Sequence, residues 1–226
     1  MPRDPLDIPV SFRPLHFFWI VDTSGSMTQK SKIQQLNTAV KEALPHMRDA
    51  AREHVEAQVW VRVLKFDDVP SWITEPTLVD KFAWTTLDAT YGARTAMGGA
   101  LSEIADQLKM PPMVERGLPP VLALVTDGQP TDDFSSGLEK LNSELWAKKA
   151  VRVAIAIGDD ADRDVLREFT GPEYPVLDAN NPEQLTDHIR WASTKVVGAA
   201  AADRQHHGKN VVVLPPADDP GGDVVF

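Results

Sequence analysis

The sequence predicts an α/β fold: a mostly parallel central sheet with one antiparallel edge strand and helices on both faces. Three observations carry that expectation. Continuous apolar runs recur at 16–21, 59–66, 120–126 and 150–157, and such runs read as strands buried on both faces. Segments of helical period stand between them, the alternation of a parallel sheet with right-handed crossovers. Two of the runs end in an aspartate, Asp22 and Asp127.

The elements follow in order. His16-Phe-Phe-Trp-Ile-Val21 is the first strand, and Asp22-Thr-Ser-Gly-Ser-Met27 is turn chemistry. Ile33, Leu36, Val40, Leu44 and Met47 recur at three- and four-residue spacing, an amphipathic helix that Pro45 should bend or interrupt. Residues 59–66 form a second strand, Asp67-Asp-Val-Pro70 a turn, and Trp72-Ile-Thr74 a short antiparallel edge strand. The stretch 78–95 is irregular, and Trp84 within it is expected to be exposed. A helix from about Gly98 to Lys109 is stopped by Pro111-Pro112. After the strand at 120–126, Ser135–Lys148 is helical, with Leu138, Leu141, Leu145 and Trp146 on one side. A strand at 150–158, a short helix at 162–169, a short strand at 174–177 and a last helix at 182–197 complete the pattern. Residues 1–13 read as an extension, 14–198 as the domain and 199–226 as a tail. In that tail His206-His207 is a solvated pair, Asn210–Leu214 has strand character, and Gly222–Phe226 ends in apolar residues, short segments that could add a strand to a sheet edge.

Composition narrows the function. The 226 residues carry a net charge of −10, which argues against phosphate-dominated nucleic-acid binding and against docking on an anionic membrane. Hydrophobic residues at 42 % exclude wholesale disorder. Cysteine is absent, so disulfides, thiolate nucleophiles and cysteine-bound metals are excluded. No run approaches the ~20 apolar residues of a membrane span, and Met1–Pro5 opens no apolar leader. A cytoplasmic protein is therefore expected. There is no Gly-x-x-x-x-Gly-Lys-Ser/Thr loop, and so no expectation of a nucleotide.

In an open parallel sheet, ligands bind beyond the carboxyl ends of the strands. Asp22 and Asp127 should both reach that face, and Ser24 and Ser26, two apart in the turn, can point the same way. Carboxylates and hydroxyls without His or Cys make a hard oxygen site, suited to Mg²⁺, Mn²⁺ or Ca²⁺ and not to Zn²⁺ or Cu²⁺. Each residue also has an ordinary structural use. Ser24, Ser26 and Thr95 could cap helices, Gly98-Gly99 could serve close packing, and Asp159, Asp160, Asp162 and Asp164 could be a solvated loop and helix start.

Asp22-x-Ser24-x-Ser26 after the first strand, Thr95 ahead of a helix in Gly92–Leu101, and Thr126-Asp127-Gly128 after a central strand together resemble the metal-ion-dependent adhesion site of von Willebrand factor A domains. The resemblance covers about residues 14–198 and implies a Rossmann-like fold. It implies one divalent cation, Mg²⁺ above all, with Ser24, Ser26 and Thr95 as hydroxyl ligands. Asp22 and Asp127 would act directly or through water. The ion would be completed by a carboxylate from a protein partner, without catalysis. Arg94, a cation beside Thr95 where many members carry a small residue, is a candidate partner contact or a local ion pair. The phrasing of Trp19–Met27 and Val125–Asp132 is most similar to bacterial cytoplasmic proteins associated with tellurite resistance and stress response. Two other readings stand beside this one. A haloacid-dehalogenase-like phosphatase would use Asp22, Thr126 and Gly158-Asp159-Asp160, but Ser24 stands where its acid/base carboxylate is needed. An adaptor of an AAA-type ATPase or chelatase would keep the same site and change the partner.

Overall fold

A computed structural model describes residues 12–201. Six strands, β1 (Arg13–Asp22), β2 (Ala57–Phe66), β3 (Pro70–Leu78), β4 (Val121–Thr126), β5 (Val151–Ile157) and β6 (Val176–Ala179), form one sheet in the order β3-β2-β1-β4-β5-β6. All neighbours pair in parallel except β2 and β3, the antiparallel edge. The inner strands are buried along nearly their whole length, as their unbroken apolar runs require. The chain order reverses between β1 and β4, and there the carboxyl ends of two strands open a crevice.

One face of the sheet carries α1 (Lys32–Arg52) and α6 (Pro182–Trp191), packed over Phe17, Trp19 and Val21. The other carries α2 (Met97–Gln107), α3 (Phe134–Ser143), α4 (Leu145–Lys149) and α5 (Arg163–Thr170), over Phe18, Ile20, Leu122 and Leu124. The alternation along β1 thus feeds two separate cores. Helices α2 and α3 cross at Gly98 and Gly137, where the added Cβ of either would collide with backbone of the other helix or its N-cap. Gly98 therefore serves packing. Among the described residues, no helix is long and apolar enough to cross a membrane.

Several expectations change in the structure. Of the two effects expected at Pro45, interruption does not occur, since α1 runs through it; its apolar stripe, buried from Ile33 to Met47, holds the helix despite the missing hydrogen bond. The helix expected over 135–148 breaks at Glu144, whose ψ of 136° is extended. That break turns Trp146 into the core and leaves Leu145 exposed. The last helix passes through a π-helical turn at Ala192–Val196 and continues as α7 (Val197–Ala201). Ser193 and Thr194 donate there to the carbonyls four residues back, at 2.7 and 2.8 Å, and so compete with the helical ladder. The tail features from His206 to Phe226 lie outside the described residues.

Trp84 is buried, contrary to the expectation for it. Its indole Nε1 donates to Asn37 Oδ1 at 2.8 Å. Asn37 sits on the buried stripe of α1 and accepts at the same oxygen from the Leu87 backbone N–H at 2.9 Å. Its amide nitrogen donates to the carbonyls of Leu87 and Ile33, both at 2.8 Å. One buried amide therefore pins the irregular segment 79–96 onto α1. Replacing it leaves several buried polar groups without partners, each costing about 1–3 kcal/mol. Asn37→Leu should lower the unfolding free energy by about 3 kcal/mol or more. Urea titration of the two proteins measures this, and a change under about 1 kcal/mol would contradict the account.

His16 on β1 is buried, and burial first, then the nearby Arg62 guanidinium, holds its pKa down at about 4. The unfolded chain takes up that proton near pH 6.5, where the folded chain does not. Its contribution is complete above pH 6.5 and is lost as the pH falls toward 4. His16→Phe removes the linkage. Relative to wild type, the variant should gain about 2 kcal/mol between pH 7 and pH 5, read from urea midpoints at each pH.

Candidate metal centre at the switch point

The first strand delivers Asp22 to the crevice, and the sheet register sets the end of β4 beside it. Asp22, Thr23, Thr126 and Asp127 are each fully buried. Two carboxylates in that position need donors. Asp22 Oδ1 accepts from the Ser24 backbone N–H at 2.8 Å, and Oδ2 from the Thr126 hydroxyl at 2.5 Å. Asp127 Oδ1 accepts from the Ser26 hydroxyl at 2.6 Å, and Oδ2 from the Lys32 ammonium at 2.6 Å. Ser24 and Ser26 hydroxyls lie 3.1 Å apart. Burial pushes the pKa of Asp22 up to about 6; hydrogen bonds from Ser24 and Thr126 oppose the rise, and the Asp127 charge adds to it.

Thr95 arrives from the far side of the crevice. Its N–H donates to the Thr131 hydroxyl and its carbonyl accepts from the Thr131 N–H, each at 3.0 Å. The preceding loop closes on the serine turn through Gly25 N–H to Ala93 O at 3.0 Å. A Cβ on Gly25 would lie 2.9 Å from the Gly92 nitrogen, and Gly92 itself has a φ of +74°, so this approach needs both glycines. Asp132 then holds the start of α2, accepting from the N–H groups of Gly98 and Gly99 at 2.9 and 2.7 Å.

The hydroxyls meet at Gly128. An added Cβ there would stand 3.3 Å from Thr95 Oγ1 and 3.6 Å from both Asp22 Oδ2 and Ser26 Oγ. Oxygens from two chain segments, the strand-end turn 22–26 and the loop at Thr95, thus face one small space beside the bare backbone of Gly128. The donor set is all oxygen, and it fits a hard divalent cation. Among the described residues, no three His, Cys, Asp or Glu side chains come together as a metal cluster. A cation here would rest on hydroxyls as much as on carboxylates.

The capping alternatives fare poorly. Ser24 precedes the 3₁₀ turn Gly25–Ser31 but makes no side-chain cap, and the N-cap of α2 is Ala96, not Thr95. Asp162 does cap α5, accepting from Asp164 and Val165 N–H. Arg94 forms an exposed ion pair with Asp68, Nε to Oδ1 at 3.4 Å. Of the phosphatase triad, Thr126 is spent on Asp22, and Asp160 lies 3.8 Å from Lys32 with its side chain exposed.

Sequence reasoning missed Lys32. It falls four residues before Leu36 on the apolar stripe of α1, an odd place for a cation, and that position was the available signal. Its side chain also lines a cavity of about 240 Å³ with Gly158, Asp160 and Asn181. Thr126 was weighed only as part of a phosphatase, although its hydroxyl holds Asp22.

The profile of the von Willebrand factor type A domain matches residues 18–191. The chain belongs to this family. Its members are protein-interaction modules, and the matched span holds all five candidate positions of this type A domain. Among solved structures, this domain is similar to a von Willebrand factor type A protein from Catenulispora acidiphila (17 % identity, TM-score 0.60, 84 % of this chain and 43 % of that one). It is similar also to the pilus adhesin SpaC from Lactobacillus rhamnosus GG (15 %, 0.64, 82 % and 31 %). A third is proximal thread matrix protein 1 from the mussel byssus, described with a zinc-occupied MIDAS motif (17 %, 0.56, 83 % and 46 %). The chain spans less than half the length of each. At such identities the likeness shows the fold. No curated protein matches the chain.

Proposed function

We propose that this type A domain is a non-catalytic, metal-dependent protein-interaction module. One divalent cation, Mg²⁺ above all, would be held by the hydroxyls of Ser24, Ser26 and Thr95 and would present an open position to a carboxylate of a protein partner. The observation that carries this is the convergence of Thr95, Ser26 and Asp22 oxygens on the space at Gly128. Each oxygen of Asp22 and Asp127 already accepts a bond from the chain. The two carboxylates would orient the hydroxyls and act directly or through ordered water, and the hydroxyls would ligate the ion. Neutral ligands leave much of the ion's charge uncancelled, which makes an incoming Asp or Glu side chain its natural complement. The zinc in the mussel protein's MIDAS motif agrees with a divalent ion in such a site.

The same reading argues against a phosphatase: both Asp22 oxygens accept hydrogen bonds from the chain, and Ser24 supplies no proton carrier near pH 7. The phrasing of Trp19–Met27 and Val125–Asp132 supports a cytoplasmic place in a bacterial system of the stress-response or tellurite-resistance type. Arg94 would contribute at the rim, from its pair with Asp68.

Titration calorimetry with Mn²⁺ tests the metal. Wild type should bind one ion, Ser26→Ala combined with Thr95→Ala should lose at least about tenfold in affinity, and Gly128→Ala should abolish binding by filling the cradle. Gly128 has no positive φ, so the Gly128→Ala protein should still fold, and its cooperative melting in EDTA checks this; the 3.3 Å approach to Thr95 Oγ1 lowers the melting temperature only as far as that side chain must shift. Equal heats from all three proteins would remove these residues from any metal site. The open position is tested by water-proton relaxation of the bound Mn²⁺, which should fall as a Glu-containing peptide displaces a water; an unchanged signal at saturating peptide would contradict partner ligation.

A further inference from the structure

Lys32 opens α1, directly after the serine turn. It is only 6 % exposed, an uncommon position for a lysine unless it is paired. Its ammonium lies 2.6 Å from Asp127 Oδ2 and 3.8 Å from the exposed Asp160. The stem crosses the bare backbone of Gly158, whose added Cβ would meet Lys32 Cε and Nζ at 3.7 and 3.8 Å. Gly158 has a φ of +73°, a conformation that a glycine adopts readily. Among the described residues, Lys32 is the cation that the salt bridges place on Asp127.

We propose that Lys32 is a built-in counter-ion that makes the centre selective for an anionic partner. This rests on the metal reading above. Two fully buried carboxylates, Asp22 and Asp127, stand at the crevice; with Lys32 they amount to one net negative charge. A divalent ion then leaves the centre positive by one, and the carboxylate of an Asp or Glu side chain supplies the missing charge. Without Lys32 the two aspartates would neutralise the ion by themselves. The lysine thus trades intrinsic metal affinity for dependence on the partner. Its ammonium also competes with an ion for Asp127 Oδ2, while Ser26 donates to Oδ1. In the metal-free chain the same ammonium offsets the cost of burying the pair.

The test uses the full chain, wild type and Lys32→Met, a replacement that keeps the stem and removes the charge. Mn²⁺ affinity is measured by calorimetry, alone and with saturating acetate as the carboxylate probe, and melting temperature is measured in EDTA. Lys32→Met should bind Mn²⁺ about tenfold more tightly. Acetate should strengthen Mn²⁺ binding in wild type, and by less in the variant, since the coupling between the two ligands is reciprocal. In EDTA the variant should melt earlier; a merely structural lysine would give that loss but no gain in affinity. Unchanged or weaker Mn²⁺ binding by a folded Lys32→Met protein overturns the proposal while leaving the metal centre standing. Absence of Mn²⁺ binding in both proteins overturns the metal centre and this role with it. Binding by the variant alone would support the role in its extreme form.

Discussion

Two carboxylates buried side by side are the constraint around which this molecule is organised. Parallel pairing of β1 with β4 brings Asp22 and Asp127 together at the reversal of strand order, both without solvent. Isolated charges in that position would be prohibitive. The chain answers with one donor for each carboxylate oxygen: a backbone N–H, two hydroxyls and an ammonium, from the serine turn, β4 and α1. Burial still drives Asp22 toward the neutral form. An added cation would favour the ionised form of Asp22, because the low-dielectric surroundings strengthen the attraction between them.

The rest of the architecture keeps those donors in place. Thr95 comes from a segment with no strand or helix of its own, yet it must sit opposite Ser26 within a few ångströms. The segment is tied at both ends. Asn37 fastens Trp84 and Leu87 to α1, and the Thr90 N–H donates to the Thr23 carbonyl at 2.8 Å. Asp67, at the end of β2, accepts from the Thr90 hydroxyl at 3.1 Å, and its carbonyl accepts from the Ala96 N–H at 2.8 Å. The irregular loop is therefore as determined as the strands, through side-chain bonds to the loop backbone instead of a ladder.

The fold was legible wherever burial made the pattern simple. Unbroken apolar runs identified the inner strands, and the aspartates at their ends identified the face that matters. Misreadings fell where polar side chains overrode periodicity. Trp84 looked exposed because its neighbours lack a period; its burial depends on Asn37, forty-seven residues away. The last helix departs from an α-helix at the residues whose hydroxyls bond back to the preceding turn. At the site, the residue types and spacing were readable, but which oxygens are already engaged was not. Pattern shows that Asp127 is present; only the packing of α1 against the end of β4 shows that Lys32 holds it.

The two cations near the centre show why position along the chain is a poor guide to electrostatic weight. Arg94 adjoins Thr95 in sequence and so attracts attention first. Its guanidinium pairs with Asp68 at 3.4 Å while the two side chains remain 75 % and 54 % exposed. Solvent and salt screen such a pair, and it contributes about 0–1 kcal/mol. Lys32 is sixty-three residues from Thr95, yet its ammonium is withdrawn from water and in contact with the carboxylate that Ser26 also holds. A charge in that setting acts on the centre with little screening. The field at the cradle is consequently set by α1 and β4, and the rim arginine only modulates what approaches it. In the proposed reading, Arg94 would act on a partner during encounter and the Lys32-balanced centre would act on it once docked, so the two cations would influence different stages of binding.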